Sequence, residues 1–187
     1  MREALGRALR AALAISLASS AILGASEKNA APPLTHEHRH PSGAFSFKTP
    51  ESWTEETFPS EPGVLQVAGD QMVVRFVFQR GEAGYDAFHG LCMTQRLPGA
   101  PQTDPWIEFE YDYLSGGLAD RRFLDSAFRV RYDAPIQGHR EWRQRNLTVV
   151  GAAESLCIIA FVPSQVWKKS KASRALADAV VRSVGFR

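Results

Sequence analysis

Leu156-Cys157-Ile158-Ile159-Ala160-Phe161-Val162 is the stretch that decides the fold. Its residues are apolar on both alternating faces, Leu156, Ile158, Ala160 and Val162 on one and Cys157, Ile159 and Phe161 on the other. A strand of this kind needs cover above and below, so it belongs in the middle of a sheet. After Pro163-Ser164 the chain reads as helix. Ala172, Leu176, Ala179, Val180 and Ser183 share one side, and Arg174, Asp178 and Arg182 the opposite one, with Asp178 spaced to pair with Arg182. Gly185 is the expected stop. Lys168, Lys169 and Lys171 cluster near the start of that helix, where positive charge opposes the dipole.

Two strands are expected before this core segment. Phe128, Val130 and Tyr132 alternate with Arg129, Arg131 and Asp133, and Ala134 to Gly138 leads into a strand holding Arg140, Trp142, Arg143, Arg145, Leu147 and Val149. Pairing them brings Arg129 or Arg131 near Arg143 or Arg145. Guanidinium forks suit carboxylate or phosphate oxygens, so Arg129, Arg131, Arg140, Arg143 and Arg145 are the candidate ligand residues. The competing reading is a sheet face whose arginines pair with Glu141, Asp133 or Glu154. Asn146-Leu147-Thr148 matches a glycosylation triplet but lies within a strand pattern.

Phe45 to Lys48 is a short alternating strand, turned by Pro50, with Trp53 as a core anchor. Thr54 to Pro62 is expected as polar loop. Val64 to Ala68 and Gln71 to Gln79 form a hairpin about Gly69-Asp70, with Met72, Val74, Phe76 and Phe78 facing the core. Ala87 to Gln95 is open between strand and short helix. Asp104-Pro105 resembles a helix start, and Trp106, Phe109 and Tyr113 recur at helical spacing. That predicts a helix ending at Gly116-Gly117 and a second short one over 119–125.

The chain opens with Arg2, Arg7 and Arg10, then a small and apolar run from Ala11 to Leu23 and a small-residue exit at Gly24-Ala25-Ser26. That is the pattern of a bacterial secretory signal over 1–26, too short to span a bilayer, which takes about 20 apolar residues. No cysteine stands at the exit, so a soluble periplasmic or secreted protein is expected, not membrane-anchored after cleavage. Of the 22 Lys and Arg and 20 Asp and Glu, three and one fall in this segment, so residues 27–187 carry 19 of each. Such a balance gives no warrant for nucleic-acid binding.

Residues 27–43, rich in Pro and Ala, are expected to be a disordered linker, and 44–187 one domain. His36, His38 and His40 alternate in that linker and could ligate Zn or Cu, but a tail has nothing to fix them, so no metal site is expected. Cys92 and Cys157 are either one disulfide or two buried thiols.

The opening Phe45-Ser46-Phe47-Lys48-Thr49-Pro50-Glu51-Ser52-Trp53 is one point of likeness to a known family. The approach from Tyr132 to Gly138, the apolar strand 155–162 closing on Pro163, and the ending Val181-Arg182-Ser183-Val184-Gly185-Phe186 are others. Over about residues 44–187 the chain resembles the PsbP-like family, which takes in extrinsic photosystem II subunits, Ran-binding Mog-type proteins and exported bacterial proteins. The resemblance implies an α+β fold, an antiparallel sheet flanked by helices in an α-β-α sandwich. It brings no catalytic residue, and fold does not carry function.

The function expected is an exported, non-enzymatic accessory or binding domain that works through contact with a protein partner, with no cofactor. One alternative is a small-anion site on the arginine strands. A remoter one is a thiol or histidine hydrolase about His89, Cys92 or His139.

Overall fold

The computed structural model describes residues 31–81, 83–101, 106–118 and 121–186. The signal-like segment, residues 27–30 of the expected linker and the expected helix cap at Asp104-Pro105 lie outside them. Ten strands are described: β1 His36–Arg39, β2 Phe45–Thr49, β3 Thr54–Thr57, β4 Val64–Gly69, β5 Met72–Arg80, β6 Trp106–Leu118, β7 Arg121–Ile136, β8 His139–Val150, β9 Glu154–Pro163 and β10 Gly185–Phe186. The helices are α1 Tyr85–Met93, α2 Ser164–Lys169 and α3 Lys171–Arg182.

Seven strands form an antiparallel sheet in the order β3-β4-β5-β9-β8-β7-β6, and β1-β2-β10 form a small second sheet. β9 is at the centre, paired with β5 and β8. Leu156, Ile158, Ala160 and Val162 join a core with Phe45, Phe47, Phe76, Leu176 and Val180, beneath the small sheet and α3. Cys157, Ile159 and Phe161 join a second core with Phe88, Cys92, Phe128, Val130 and Trp142, beneath α1. The double cover expected of this strand is therefore present, and each fully buried aliphatic or aromatic side chain on it contributes about 1.5–3 kcal/mol.

Several sequence expectations are corrected. The linker expected over 27–43 ends in β1, which pairs along β2 from His36 with Thr49 to Arg39 with Ser46. Histidine carries an apolar ring with a polar rim. The His38 ring stacks on Phe47 while its nitrogens meet Glu55 Oε2 at 2.5 Å and Thr49 Oγ1 at 2.7 Å. His40 stacks on Phe45 and lies against Phe78. Burial here is thus carried by residues that a hydropathy pattern counts as polar.

The loop expected over 54–62 contains β3, whose four residues are all exposed. Backbone pairing to β4 holds it, so no alternation marks it. The helix expected from Trp106 is β6, and the short helix over 119–125 gives way to β7 from Arg121 on. Ile107, Phe109, Tyr111 and Tyr113 alternate strictly with Glu108, Glu110 and Asp112, a two-residue period that outweighs the helical spacing. The open segment 87–95 resolves as the helix α1.

The closing helix is broken in two at Ser170, whose Oγ accepts from Ser173 N at 3.0 Å. The break places Lys168 and Lys169 in the last turn of α2, where they complement the dipole instead of opposing it. Asp178 reaches Arg145, not the expected Arg182. Gly185 is no helix stop, for α3 ends at Arg182 with Ser183 as its C-cap, and Gly185 opens β10.

The hairpin turn lies one residue later than its sequence suggests. Gly69 pairs with Met72, and the two-residue connection is Asp70-Gln71, both left-handed at φ 50° and 61°. Gly69 is needed for a different reason. A Cβ there would stand 2.3 Å from Cδ1 of the buried Trp53 indole, whose Nε1 donates to Asp70 Oδ2 at 2.9 Å. Gly69→Ala is expected to lower unfolding free energy by about 1–3 kcal/mol through overpacking, read from urea denaturation. Leu91→Ala, on an exposed helix position, is the control and shifts it far less.

Burial lowers the His40 imidazole pKa, against a smaller opposing pull from Glu55. Its Nδ1 meets Ser42 Oγ, and its Nε2 has no hydrogen-bond partner among the described residues. The folded state therefore binds a proton less readily than the unfolded chain, whose imidazoles titrate near about 6.5. Stability is fully present above that pH and falls as pH drops through it. Burial depresses His89 likewise, adding a loss of the same sign. Urea midpoints measured from neutral pH down to about pH 5 are expected to decline, and His40→Phe to decline less steeply.

Candidate functional site

The register of β7 and β8 decides which arginines share a face. Arg129 stands opposite Arg143, Ala127 opposite Arg145 and Arg131 opposite Glu141. Strand alternation then puts Arg129, Arg131, Arg143 and Arg145 together on the side covered by α2 and α3. Arg140 is out of phase with them, exposed beside the β7–β8 turn.

Each of the four meets a partner. Arg145 holds Asp125 through Nε at 3.0 Å and Nη2 at 2.5 Å, and its Nη1 donates to Asp178 on α3. Arg143 is 7% exposed and lies over the Trp167 ring of α2, 3.9 Å from its centroid. Arg129 pairs with Glu108 on β6. Arg131 donates to Glu141 at 3.0 Å and lies over the Trp106 ring at 5.5 Å. The hydrogen bond from Arg131 holds the Glu141 carboxyl below the ordinary carboxylate range, with Arg129 and Lys168 adding to it. The arginines thus form an ion-pair lattice across β6, β7, β8 and α3, with a guanidinium–indole stack onto α2. The space enclosed beneath Arg143, Arg145 and Trp167 is about 10 Å³, room for one water at most. An open groove of about 530 Å³ lies nearby, lined by Pro135, Gly138, His139, Arg140, Glu141 and Gln165.

Beyond Arg140, the other face of β8 carries neutral polar side chains from Gln144 to Thr148 and fastens α1. Asn146 Nδ2 donates to Cys92 O at 3.1 Å, Gln144 Nε2 donates to Asn146 Oδ1 at 3.0 Å, and Thr148 Oγ1 meets His89 Nδ1 at 3.2 Å. Asn146 is fully buried, so its glycosylation triplet is inaccessible in the folded chain. Cys92 and Cys157 are joined in a disulfide with Cα atoms 5.9 Å apart. The disulfide resolves the choice left open by the sequence and removes the nucleophile of the thiol reading. His139 stands edge-on to Trp142 at the start of β8, on a different element from His89. Among the described residues no group of three or more His, Cys, Asp or Glu is placed to hold a metal. No described helix is long and apolar enough to cross a membrane.

Sequence reading missed the end of the large sheet. Trp106 is 53% exposed and Ile107 39%, and both lie on β6, the outermost strand. The two-residue alternation through Tyr113 was the signal that could have placed them on a strand.

No protein-family model matches the sequence, and no curated protein sequence matches it. Solved structures do. The solution structure of cyanobacterial PsbP (CyanoP) from Synechocystis sp. PCC 6803 is similar at 12% identity and TM-score 0.59, covering 81% of this chain and 92% of that one. A crystal structure from Bacteroides thetaiotaomicron is similar at 14% identity and TM-score 0.52, over 83% of this chain and 49% of the other. The Saccharomyces cerevisiae Ran-binding protein Mog1p aligns at 13% identity and TM-score 0.48, over 82% and 96%. The chain has a PsbP-like α+β fold.

Arg145→Met leaves the Asp125 carboxylate, its side chain 11% exposed, without its bidentate partner. The expected cost is about 2–3 kcal/mol by urea denaturation, the lower side of the range for a broken buried pair because Arg145 is itself partly solvated. Adding Asp125→Leu to that variant is expected to recover part of the loss. A double variant no better than the sum of the singles contradicts the pairing.

Proposed function

We propose that this chain is an exported accessory domain, without an enzymatic activity of its own, that works by contact with another protein. The observation that carries the reading is the exposed pair Trp106 and Ile107 at the open end of the seven-stranded sheet. They stand on the two faces of the sheet edge, where one added strand would cover both, and tryptophan and arginine are among the residues that most often anchor protein contacts. The arginine lattice weighs in the same direction. Its guanidinium groups are engaged by Asp125, Asp178, Glu108, Glu141 and Trp167, which favours a structural use of the arginines over a small-anion site.

Export is supported by the signal-like pattern of residues 1–26 and by a disulfide in a domain large enough to fold without one. The photosystem setting of PsbP is not carried over, because likeness of fold at this identity speaks for architecture alone.

A photo-crosslinking residue in place of Trp106, introduced in the producing cell, is expected to give a discrete adduct with one protein. The same residue in place of the exposed Ala175 on α3 is expected to give none. Mass spectrometry of the adducts checks it. Equal yields at both positions, or no protein adduct at either, overturn the reading.

A further inference from the structure

β6 and β3 are the two edges of the seven-stranded sheet, and they differ in kind. An edge strand presents unpaired N–H and C=O groups and is a template for another strand, so proteins shorten such edges, charge them with lysine, break them with proline or bend them with bulges. β3 is four residues long and exposed throughout. β6 is thirteen residues long, with no lysine, arginine or proline between Trp106 and Leu118. Its irregularities lie after Phe109, so Trp106 to Phe109 pair with Arg131 to Phe128 in unbroken register. That stretch holds Trp106 and Ile107, the exposed large apolar residues of β6 among the described side chains.

We infer that Trp106–Phe109 is a docking edge for an extended segment of a partner protein that adds as a further strand, its residues alternating between aliphatic and Lys or Arg. The inference rests on the protein-contact reading above and names the partner's chemistry. Alternation fixes that chemistry. Ile107 stands opposite Val130 on the α1 side of the sheet, so a neighbouring strand would cover it with an aliphatic residue. Trp106 and Glu108 stand opposite Arg131 and Arg129 on the other side. Glu108 keeps 44% of its side chain exposed while it pairs with Arg129, so its carboxylate can accept from a second cation. Trp106 has an exposed ring over which an alkylammonium or guanidinium can lie.

Charge argues against a second copy as the occupant. β6 carries Glu108, Glu110 and Asp112. Antiparallel pairing of two copies across Trp106–Phe109 sets Glu108 opposite itself when centred there, where like charges are destabilising, and opposite Trp106 when centred on Ile107, which brings Glu108 no second cation. A basic alternating segment supplies Glu108 with that cation, while its main chain extends the ladder.

The test uses the full chain and three short blocked peptides: one alternating Val and Lys, one alternating Val and Glu, and the Val-Lys peptide with its edge-facing amides N-methylated. The Val-Lys peptide is expected to bind at least about tenfold more tightly than either of the others and to protect the Trp106–Phe109 amides from hydrogen exchange. Equal affinity for the N-methylated peptide means surface ion pairing without strand addition and overturns the inference. So does protection confined to other strands, or a peptide-free dimer in sedimentation that protects the same amides. If a protein partner crosslinks at residue 106 while the Val-Lys peptide leaves these amides unprotected, strand addition fails and the protein-contact reading survives. If the peptide protects them and no protein adduct forms, the docking edge stands and the proposed cellular role fails.

Discussion

The structure depends on keeping both sides of one central strand dry. β9 gives up solvent on each face, so its backbone groups must be met by β5 and β8 and its side chains by two separate covers. One cover is the small sheet and α3, contributing Phe45, Phe47, Leu176 and Val180. The other is α1, contributing Phe88 and Cys92. Each cover is also fastened by something more specific than burial. The N-terminal cover is pinned by the His38 ring between Phe47, Glu55 and Thr49. The α1 cover is bound to β9 itself by the Cys92–Cys157 disulfide, which closes a separation of 65 residues. On the loop-entropy account, a closure of that length is worth about 4 kcal/mol.

The sheet is wider than its covers, and the excess is handled by charge. Beyond β9 the face toward α3 passes from Ala160 and Val162 to Arg145 and Arg143, and then to Asp125 and Arg129. Helices α2 and α3 reach this zone with Trp167 and Asp178, one aromatic face and one carboxylate, each set against a guanidinium. Arginine suits this work better than lysine. Its planar fork meets Asp125 with two nitrogens, and its flat face can lie on an indole without losing its remaining donors. The helix break at Ser170 separates the two contacts, Trp167 standing on α2 and Asp178 on α3. Arg174 ties the break together by donating to the Trp167 and Lys168 carbonyls.

How much of this was legible in the chain follows from what each segment buries. The β9 run, the β4–β5 hairpin and the half-buried β7 and β8 were readable because apolar side chains mark their inner faces. β1 and β3 were not. β1 is buried through histidines, which count as polar in any pattern, and β3 is exposed on both sides, so only its backbone partner holds it. β6 was read with the wrong period because Trp106, Phe109 and Tyr113 satisfy a helical spacing while Ile107 to Tyr113 satisfy a strand. The choice between them is made by pairing to β7, which lies outside the segment itself. The arginines were placed on the right strands and mostly on one face. Their partners were hidden because Asp178 and Trp167 come from helices whose packing direction the sequence does not state.

The two faces of β8 show why the chain's free chemistry gathers at the rim. On the α1 side, Gln144, Asn146 and Thr148 form a row of neutral donors and acceptors, and a row of that kind can be fully satisfied by a helix end, as Asn146 does at the Cys92 carbonyl. A neutral row can therefore be buried outright. On the other side, guanidinium and carboxylate groups carry a desolvation cost that direct pairing offsets only in part, so some of them stay near water. Arg145 and Asp178 remain 21% and 40% exposed at the side chain, and Arg131 and Glu141 59% and 33%. The ion pairs therefore stay where water still reaches them, and Trp106 and Ile107 lie exposed on β6 at the edge of the same sheet.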